Sequence, residues 1–239
     1  MFVKTFYRNL VIFLLFSTAA FADNLHFYNP ENNIDNFVIL KKEFDRYLNK
    51  FNIVFVPFFQ ETDFLQSTAS TKLLLMPSKL ARQVSGFRAT LVSTVNSSST
   101  YKKVLVRKKD STTVSKTASA SGKESSVLTL QSLGIKSTVL TVPKDIDALM
   151  SVAFGIADMA LAANSSLETL RETNFSMYSS LTVVSEIDNL LLPIVMVAGS
   201  TDSIKVLQNM DKDPEGVACL HLLGIDSFRP LTDSDREKL

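Results

Sequence analysis

The sequence after residue 22 alternates between short apolar runs and segments with helical spacing. Residues 25–28 are typical of a strand, and a cluster of turn residues at 29–33 follows them. Residues 37–51 carry apolar side chains at helical spacing opposite a charged face, and residues 53–59 are apolar, β-branched and aromatic. Strand, helix and strand in this order are the unit of a parallel sheet, so the pattern predicts an α/β fold.

A second series of alternating elements follows the serine-rich residues 96–100, which are the first candidate crossing between two lobes. The nine-residue apolar run at 190–198 is too short to span a membrane, and we predict that it is a buried strand of the first lobe. Together these patterns predict two lobes, each a mainly parallel sheet flanked by helices. The predicted bounds are 23–99 and 185–239 for lobe I, and 100–184 for lobe II.

Residues 1–22 have the pattern of a cleavable secretory signal peptide. Lys4 and Arg8 precede a short apolar run, and Ala20 and Ala22 are the small residues that a signal peptidase recognises. The apolar run is well under the roughly 20 residues that a membrane-spanning helix needs. We predict cleavage after Ala22, which leaves 217 of the 239 residues in the exported protein.

Composition excludes several classes of protein. Without Lys4 and Arg8 the chain has 23 basic and 24 acidic residues, so it has no broad positive field for nucleic acid. Cys219 is the only cysteine, which excludes an intrachain disulfide and favours a bacterial periplasm over an animal extracellular space. His26 and His221 are the only histidines; neither lies near a nucleophile motif, and we expect His221 to pack within a helix. We expect no enzyme activity, no catalytic residue, no metal site and no cofactor.

The residues that follow the predicted strands are candidate ligand contacts. Because the carboxyl ends of parallel strands meet at one edge of a sheet, the loops after them line a shared crevice. These loops carry polar or helix-starting residues, namely Asn29, Pro30, Pro77, Ser78, Ser119, Ser121, Asn164 and Ser165. Asn164 or Ser165 is also the predicted cap of a helix.

One of these loops has the sequence Ser-Ala-Ser-Gly-Lys at residues 119–123 and joins a predicted strand to a predicted helix. As a nucleotide motif it fails, because the first glycine of a phosphate loop is absent and Glu124 replaces the required Ser or Thr. Two interpretations remain open at this point. The N–H and hydroxyl groups at a helix start can hold an anion or a polar head group, and the serines can also act as helix caps alone.

Two longer segments resemble the phosphate/phosphonate-type periplasmic substrate-binding proteins of ABC transporters. The first comprises Val-Pro-Lys-Asp-Ile-Asp-Ala-Leu-Met from residue 142 and Gly-Ile-Ala-Asp-Met-Ala-Leu from residue 155. The second comprises Asp-Pro-Glu-Gly from residue 213 and Leu-Gly-Ile-Asp-Ser-Phe-Arg-Pro-Leu from residue 223. The resemblance implies a type II periplasmic binding protein fold without catalysis, with ligand contacts from the strand-end loops. It also implies Phe58 and Phe59 at the wall of the cleft, with packing in the core as the alternative for at least one of them.

The resemblance also implies a function. We expect a monomeric periplasmic protein that captures a small ligand between its lobes and delivers it to an inner-membrane ABC permease or another membrane partner. No Arg or His lies in the candidate loops, so a phosphonate-like oxyanion would be held by neutral donors and helix ends, and a neutral or apolar ligand stays open. The alternative is an accessory or sensor subunit that uses the same fold for protein–protein interaction.

Overall fold

The strands form two sheets in the computed structural model, which describes residues 23–30, 37–200 and 202–239. The predicted signal peptide at 1–22 lies outside the described residues. The first sheet contains β1 (Asp23–Phe27), β2 (Ile53–Pro57), β3 (Leu73–Met76), β4 (Arg88–Thr94), β10 (Ile194–Val197) and β11 (Ser227–Pro230). The second contains β5 (Thr100–Lys108), β6 (Lys116–Ser119), β7 (Thr138–Thr141), β8 (Met159–Ala163) and β9 (Leu181–Leu191).

Helices connect the strands of both sheets. Those that precede β5 or follow β10 are α1 (Phe37–Leu48), α2 (Glu61–Ser67), α7 (Ser203–Gln208), α8 (Pro214–Leu222) and α9 (Asp233–Arg236). Those between β6 and β9 are α3 (Lys123–Ser132), α4 (Asp145–Ala153), α5 (Asn164–Thr173) and α6 (Phe175–Ser180). Short 3-10 turns lie at 49–51, 68–70, 78–83 and 210–212.

The core of the first sheet fixes the ends of β1 and β2. Helix α1 buries Leu40 and Phe44 completely, and the Phe44 ring stacks on Phe55 of β2 with 4.3 Å between centroids. Leu220 of α8 belongs to the same core. Each such side chain contributes about 1.5–3 kcal/mol to the stability of the folded state when it is fully buried. The loops after β1 and β2 therefore begin at strand ends that the core holds in place.

The α/β class with two sheets flanked by helices is confirmed, but the sheets are mixed rather than mainly parallel. In spatial order the first sheet is β11-β4-β10-β3-β1-β2, and only the two pairings of β1 are parallel. In the second, β7-β6-β8-β5-β9, only the two pairings of β6 are parallel. Strands that arrive from the other sheet enter at the edge where the parallel strands end, so β5 and β10 run antiparallel to their neighbours.

The second crossing lies later than the sequence predicts. β9 pairs with β5 as far as Leu191, so residues 185–191 lie in the second sheet, whereas the predicted bounds assigned them to lobe I. The predicted buried strand of lobe I is confirmed at β10, Ile194–Val197, but the run does not form one strand, because its first two residues end β9. The apolar sequence does not indicate where β9 ends and β10 begins, because Leu191 and Ile194 on the two sides are both buried. Pro193, which has no N–H to donate to a ladder, lies between the two strands.

The second sheet has its own core. Val104 and Val106 of β5, Ala160 of β8, Leu149 of α4 and Leu167 of α5 form one buried cluster. Across the described residues, no helix is both long enough and apolar enough to cross a membrane.

Candidate ligand-binding cleft

A cavity of about 610 Å³ lies between the two sheets. One wall comes from the first sheet and includes Tyr28, Asn29, Pro30, Phe58, Phe59 and Glu61. The other comes from the second sheet and includes Ala120, Gly122, Thr141, Val142 and Lys144. Both walls follow the carboxyl ends of parallel strands, which is where open α/β sheets bind ligands.

Backbone hydrogen bonds continue each ladder to the edge of this cavity. The Tyr28 N–H donates to the Leu75 carbonyl at 3.0 Å, and the Phe58 N–H donates to the Phe27 carbonyl at 2.8 Å. In the second sheet, the Val142 N–H donates to the Ser119 carbonyl at 3.0 Å. The lining residues are therefore the first residues after β1, β2 and β7, held at fixed positions.

The structure brings three of the predicted site residues into this cavity. Asn29 and Pro30 follow β1, and Phe58 follows β2. The ring of Phe58 packs against Phe64 and His26, with centroids 5.8 and 5.1 Å apart. Phe58 thus lies at the boundary between the cleft and the core beneath it.

Two other predicted residues, Pro77 and Ser165, line a second cavity of about 280 Å³. This cavity lies at the crossings and is also lined by Tyr101, Leu191 and Asn29. Asn29, which is 8% exposed, is shared by the two cavities.

Ser78 and Asn164 have other positions. The Ser78 hydroxyl donates to the Leu191 carbonyl at 2.9 Å and so holds the end of β9. Asn164 begins α5 without capping it, because the N-cap residue is Ala163. The prediction that Asn164 or Ser165 caps this helix is wrong; both residues lie one or two positions inside it.

Ser119 and Ser121 lie beneath the cleft rather than in its lining. Both are almost fully buried, and the Ser121 N–H donates to the Ser119 hydroxyl at 3.2 Å. The Ser126 hydroxyl donates to the Ser119 hydroxyl at 3.0 Å. These bonds shape the loop that turns Ala120 and Gly122 toward the cavity, so the two serines support the loop.

Lys103 is a buried residue near the site that sequence reasoning missed. It lies on β5, is 4% exposed, and its Nζ donates to the Ser121 hydroxyl at 2.6 Å. Across the ladder it pairs with Ala163, whose N–H donates to the buried carboxylate of Asp145 at 2.6 Å. Lys103 and Asp145 are therefore both buried, the first bonded to the serine loop and the second to the backbone at the end of β8. The one feature of the sequence that indicates a buried Lys103 is its position within an apolar strand.

Glu61 is the second missed residue, and it crosses the cleft. It is the first residue of α2, yet a Cβ added to Gly122 would lie 2.9 Å from its Cδ and 3.2 Å from its Oε1. Its Oε2 is buried and accepts no hydrogen bond from the part of the chain that the structure describes. Burial raises the pKa of this carboxyl and the charge of Glu124 adds to the rise, while Lys79 opposes it.

Aromatic rings form the rest of the first wall. Phe37 and Phe59 meet edge to face with 4.7 Å between centroids, and Phe59 is 69% exposed. Tyr28 stacks on Phe64 at 5.5 Å. Among the residues that the structure describes, the cleft therefore combines exposed and buried aromatic rings with one carboxylate, Glu61, and one lysine, Lys144.

The histidines show no catalytic arrangement. His26 is buried, lies 2.9 Å from the Ser67 hydroxyl through Nδ1, and has its pKa lowered by burial. His221 is exposed at the end of α8, so the prediction that it packs within the helix is wrong. Among the residues described, no three His, Cys, Asp or Glu side chains form a group that could hold a metal ion.

No protein-family model matches the sequence, and no curated protein matches it. Solved structures share its fold at low sequence identity. A Xanthomonas citri protein bound to chloride ion is 13% identical with a TM-score of 0.73, covering 90% of this chain and 94% of its own. PhnD1 from Prochlorococcus marinus, in complex with methylphosphonate, is 13% identical with a TM-score of 0.63, covering 89% and 93%.

A binding protein component of an ABC phosphonate transporter from Pseudomonas aeruginosa is similar in the same way. It is 12% identical with a TM-score of 0.61, and the match covers 89% of this chain and 82% of that one. The similarity extends over both sheets and the helices that flank them. The chain therefore has the fold of the type II periplasmic binding proteins.

Proposed function

We propose that this protein is a periplasmic solute-binding protein that captures a small ligand between its two sheets and presents it to a membrane permease. The observation that carries the proposal is the cavity of about 610 Å³ built from strand-end loops of both sheets. A pocket of this size and composition is typical of small-molecule sites. The shared fold with transporter binding proteins supports the same function.

The crossings between the sheets are short and joined to each other. The Leu192 N–H donates to the Ser99 carbonyl at 2.9 Å, and the Ser93 hydroxyl donates to the Pro193 carbonyl at 2.7 Å. A pair of bonded crossings is a suitable hinge, because small backbone changes there rotate one sheet over the other. We propose that ligand binding closes the cleft about this hinge.

Within the cleft we assign ligand contact to Asn29, Pro30 and Phe58 from the first sheet. Pro77 and Ser165 would contact a ligand part that extends into the smaller cavity. Ser119 and Ser121 support the loop at residues 119–123. Ala120 and Gly122 of the same loop would contact the ligand directly. A phosphonate-like oxyanion is one ligand class to test, since a neighbour of the same fold binds methylphosphonate.

Export and partner belong to the same proposal. The segment 1–22 would direct the chain to the periplasm, with cleavage after Ala22, and the exported protein would act as a monomer without catalysis. N-terminal sequencing of the protein recovered from a periplasmic fraction tests the cleavage site. An N-terminus at Asp23 supports it, and retention of Met1 contradicts it.

Native mass spectrometry tests ligand capture directly. Protein purified from the periplasm is expected to retain a small molecule whose mass is lost on denaturation, and scattering should show compaction with that molecule bound. Copurification with an inner-membrane permease is expected under mild crosslinking. If the protein carries no ligand, does not compact and copurifies instead with an enzyme or a sensor kinase, the accessory-subunit alternative replaces this proposal.

A further inference from the structure

Glu61 places a carboxylate against the loop that would otherwise receive an anion. The loop ends at Gly122, immediately before α3, where N–H groups and the helix dipole favour negative charge. Glu61 lies so close to Gly122 that a Cβ at position 122 would displace the Glu61 carboxyl group. An oxyanion entering this position would meet a like charge.

The wall of the first sheet, to which Glu61 also belongs, offers aromatic rings. Tyr28, Phe37, Phe58 and Phe59 all line the cavity that Glu61 lines, and Phe59 is largely exposed. Aromatic faces attract organic cations through their quadrupole, and a carboxylate supplies the opposite charge. A carboxylate beside such rings therefore fits an organic ammonium or guanidinium group.

Two lysines bring positive charge near Glu61, but this charge does not offset the rise in pKa that burial causes. Lys79 lowers the pKa of Glu61, but burial and the charge of Glu124 together outweigh it. Lys144 lines the same cavity. The carboxylate is therefore under-compensated, and a cationic ligand would supply the missing charge.

From this arrangement we infer that Glu61 is a specificity-determining residue, which makes the cleft select a small organic cation over a phosphonate-like oxyanion. The inference rests on the proposed function, since it assigns a ligand class to the same cleft. The resemblance implies a negatively charged, phosphonate-like ligand, whereas this inference assigns a positively charged one.

Calorimetric titration of the periplasmic protein tests the inference. The probes are tetramethylammonium, choline, L-arginine and putrescine as cations, dimethylbutanol as the neutral isostere of choline, and methylphosphonate as the anion. We expect at least one cation to bind, and Glu61→Gln to weaken its binding by about tenfold or more. For L-arginine and putrescine the loss is a charge-assisted hydrogen bond, and for the two quaternary ammonium probes it is the attraction between opposite charges. If the cation is choline, dimethylbutanol should bind more weakly by a similar factor.

Asp63→Asn is the matched control. It removes the same charge from the first turn of α2, but the Asp63 side chain is exposed and does not line the cavity. Cation affinity should be unchanged in this variant. The inference is overturned if no cation binds, if Glu61→Gln leaves cation affinity unchanged, or if methylphosphonate binds more tightly than every cation. Tight binding of methylphosphonate with compaction would still support ligand capture, so the two proposals fail separately.

Discussion

Asp235 accepts a hydrogen bond from Arg229 at 2.6 Å, and both side chains reach Ser99 in the first crossing. The Ser99 hydroxyl donates to Asp235 at 3.1 Å and accepts from Arg229 at 2.6 Å. Thr232 completes the group, since its N–H and hydroxyl each donate to Asp235 at 2.8 Å. The C-terminal helix α9 is thereby anchored to the proposed hinge.

Asp235→Asn should destabilise the protein by about 2 kcal/mol, because it removes the charge from hydrogen bonds made by a buried carboxylate. The side chain of Asp235 is 3% exposed, whereas Arg229 is 34% exposed and can recover water. The measurement is the free energy of unfolding in urea. Asp233→Asn, at an exposed position in the same helix, is the control and should change it little. Equal effects of the two variants would contradict the assignment.

The same carboxylate predicts an acid dependence. The Arg229 hydrogen bond holds the pKa of Asp235 well below its ordinary value, so its stabilisation is fully present above about pH 4 and is lost as the pH falls through the lowered pKa. The difference in unfolding free energy between the wild type and Asp235→Asn should therefore shrink below about pH 4. A difference that stays constant down to about pH 2 would exclude this origin.

Much of the fold was predictable from local patterns. Gly134, Gly155 and Gly224 follow α3, α4 and α8, and each has a positive φ, between 67° and 76°. Such a backbone ends a helix, and glycine adopts it without a Cβ penalty. The mixed pairing was not predictable, because strand direction depends on where a chain enters a sheet, and periodicity carries no direction.

The candidate site was only partly predictable. Asn29 and Pro30 were found because they follow a strand, and this position alone brings them to the edge of the sheet, whereas Phe58 was implied by the resemblance to the periplasmic binding proteins. Glu61 and Lys103 were missed for a different reason. Glu61 resembles an ordinary acidic residue in the first turn of a helix, and Lys103 an ordinary strand lysine. Their contacts, to Gly122 and Ser121, are made only when distant segments pack.

Lys103 and Ser121 should be energetically coupled. Lys103→Met removes a buried ammonium and leaves the buried Ser121 hydroxyl without this donor, and Ser121→Ala removes the acceptor. Each of these two single variants should lower the free energy of unfolding by about 1–3 kcal/mol. In the double variant with Ser121→Ala the losses should fall short of their sum by about 1 kcal/mol. Urea unfolding of the four proteins gives the value. Strictly additive losses would mean that the two side chains do not interact in solution.

Glu61→Gln should stabilise the ligand-free protein. Burial, aided by Glu124 and opposed by Lys79, raises the pKa of Glu61, which means that the folded state disfavours its charged form. Neutral glutamine removes that cost, so its melting temperature should exceed that of the wild type at about pH 7. The difference should shrink as the pH falls through the raised pKa and vanish below the ordinary pKa of glutamate, where the carboxyl is neutral in both the folded and the unfolded wild type. A higher melting temperature for the wild type at about pH 7 would contradict this account.

Gly122→Ala tests whether the contact across the cleft holds Glu61 in place. Gly122 has φ −51° and ψ 149°, which alanine adopts freely, so the backbone tolerates the change. The new Cβ would overlap the Glu61 carboxylate, the far end of a flexible side chain, and we expect that carboxylate to rotate into water. Unfolding free energy should change by less than about 1 kcal/mol.

The decisive measurement is a carbon-detected NMR titration of the Glu61 carboxyl. Its pKa should lie above the ordinary value in the wild type, because the group is buried, and should fall toward that value in Gly122→Ala. Cation affinity should fall with it, since the carboxylate no longer lies in the cleft that the aromatic rings line. In a Glu61→Gln background, Gly122→Ala should leave cation affinity where it was, because the charge is already gone. An unchanged Glu61 pKa in Gly122→Ala would show that the carboxylate does not lie against Gly122 in solution.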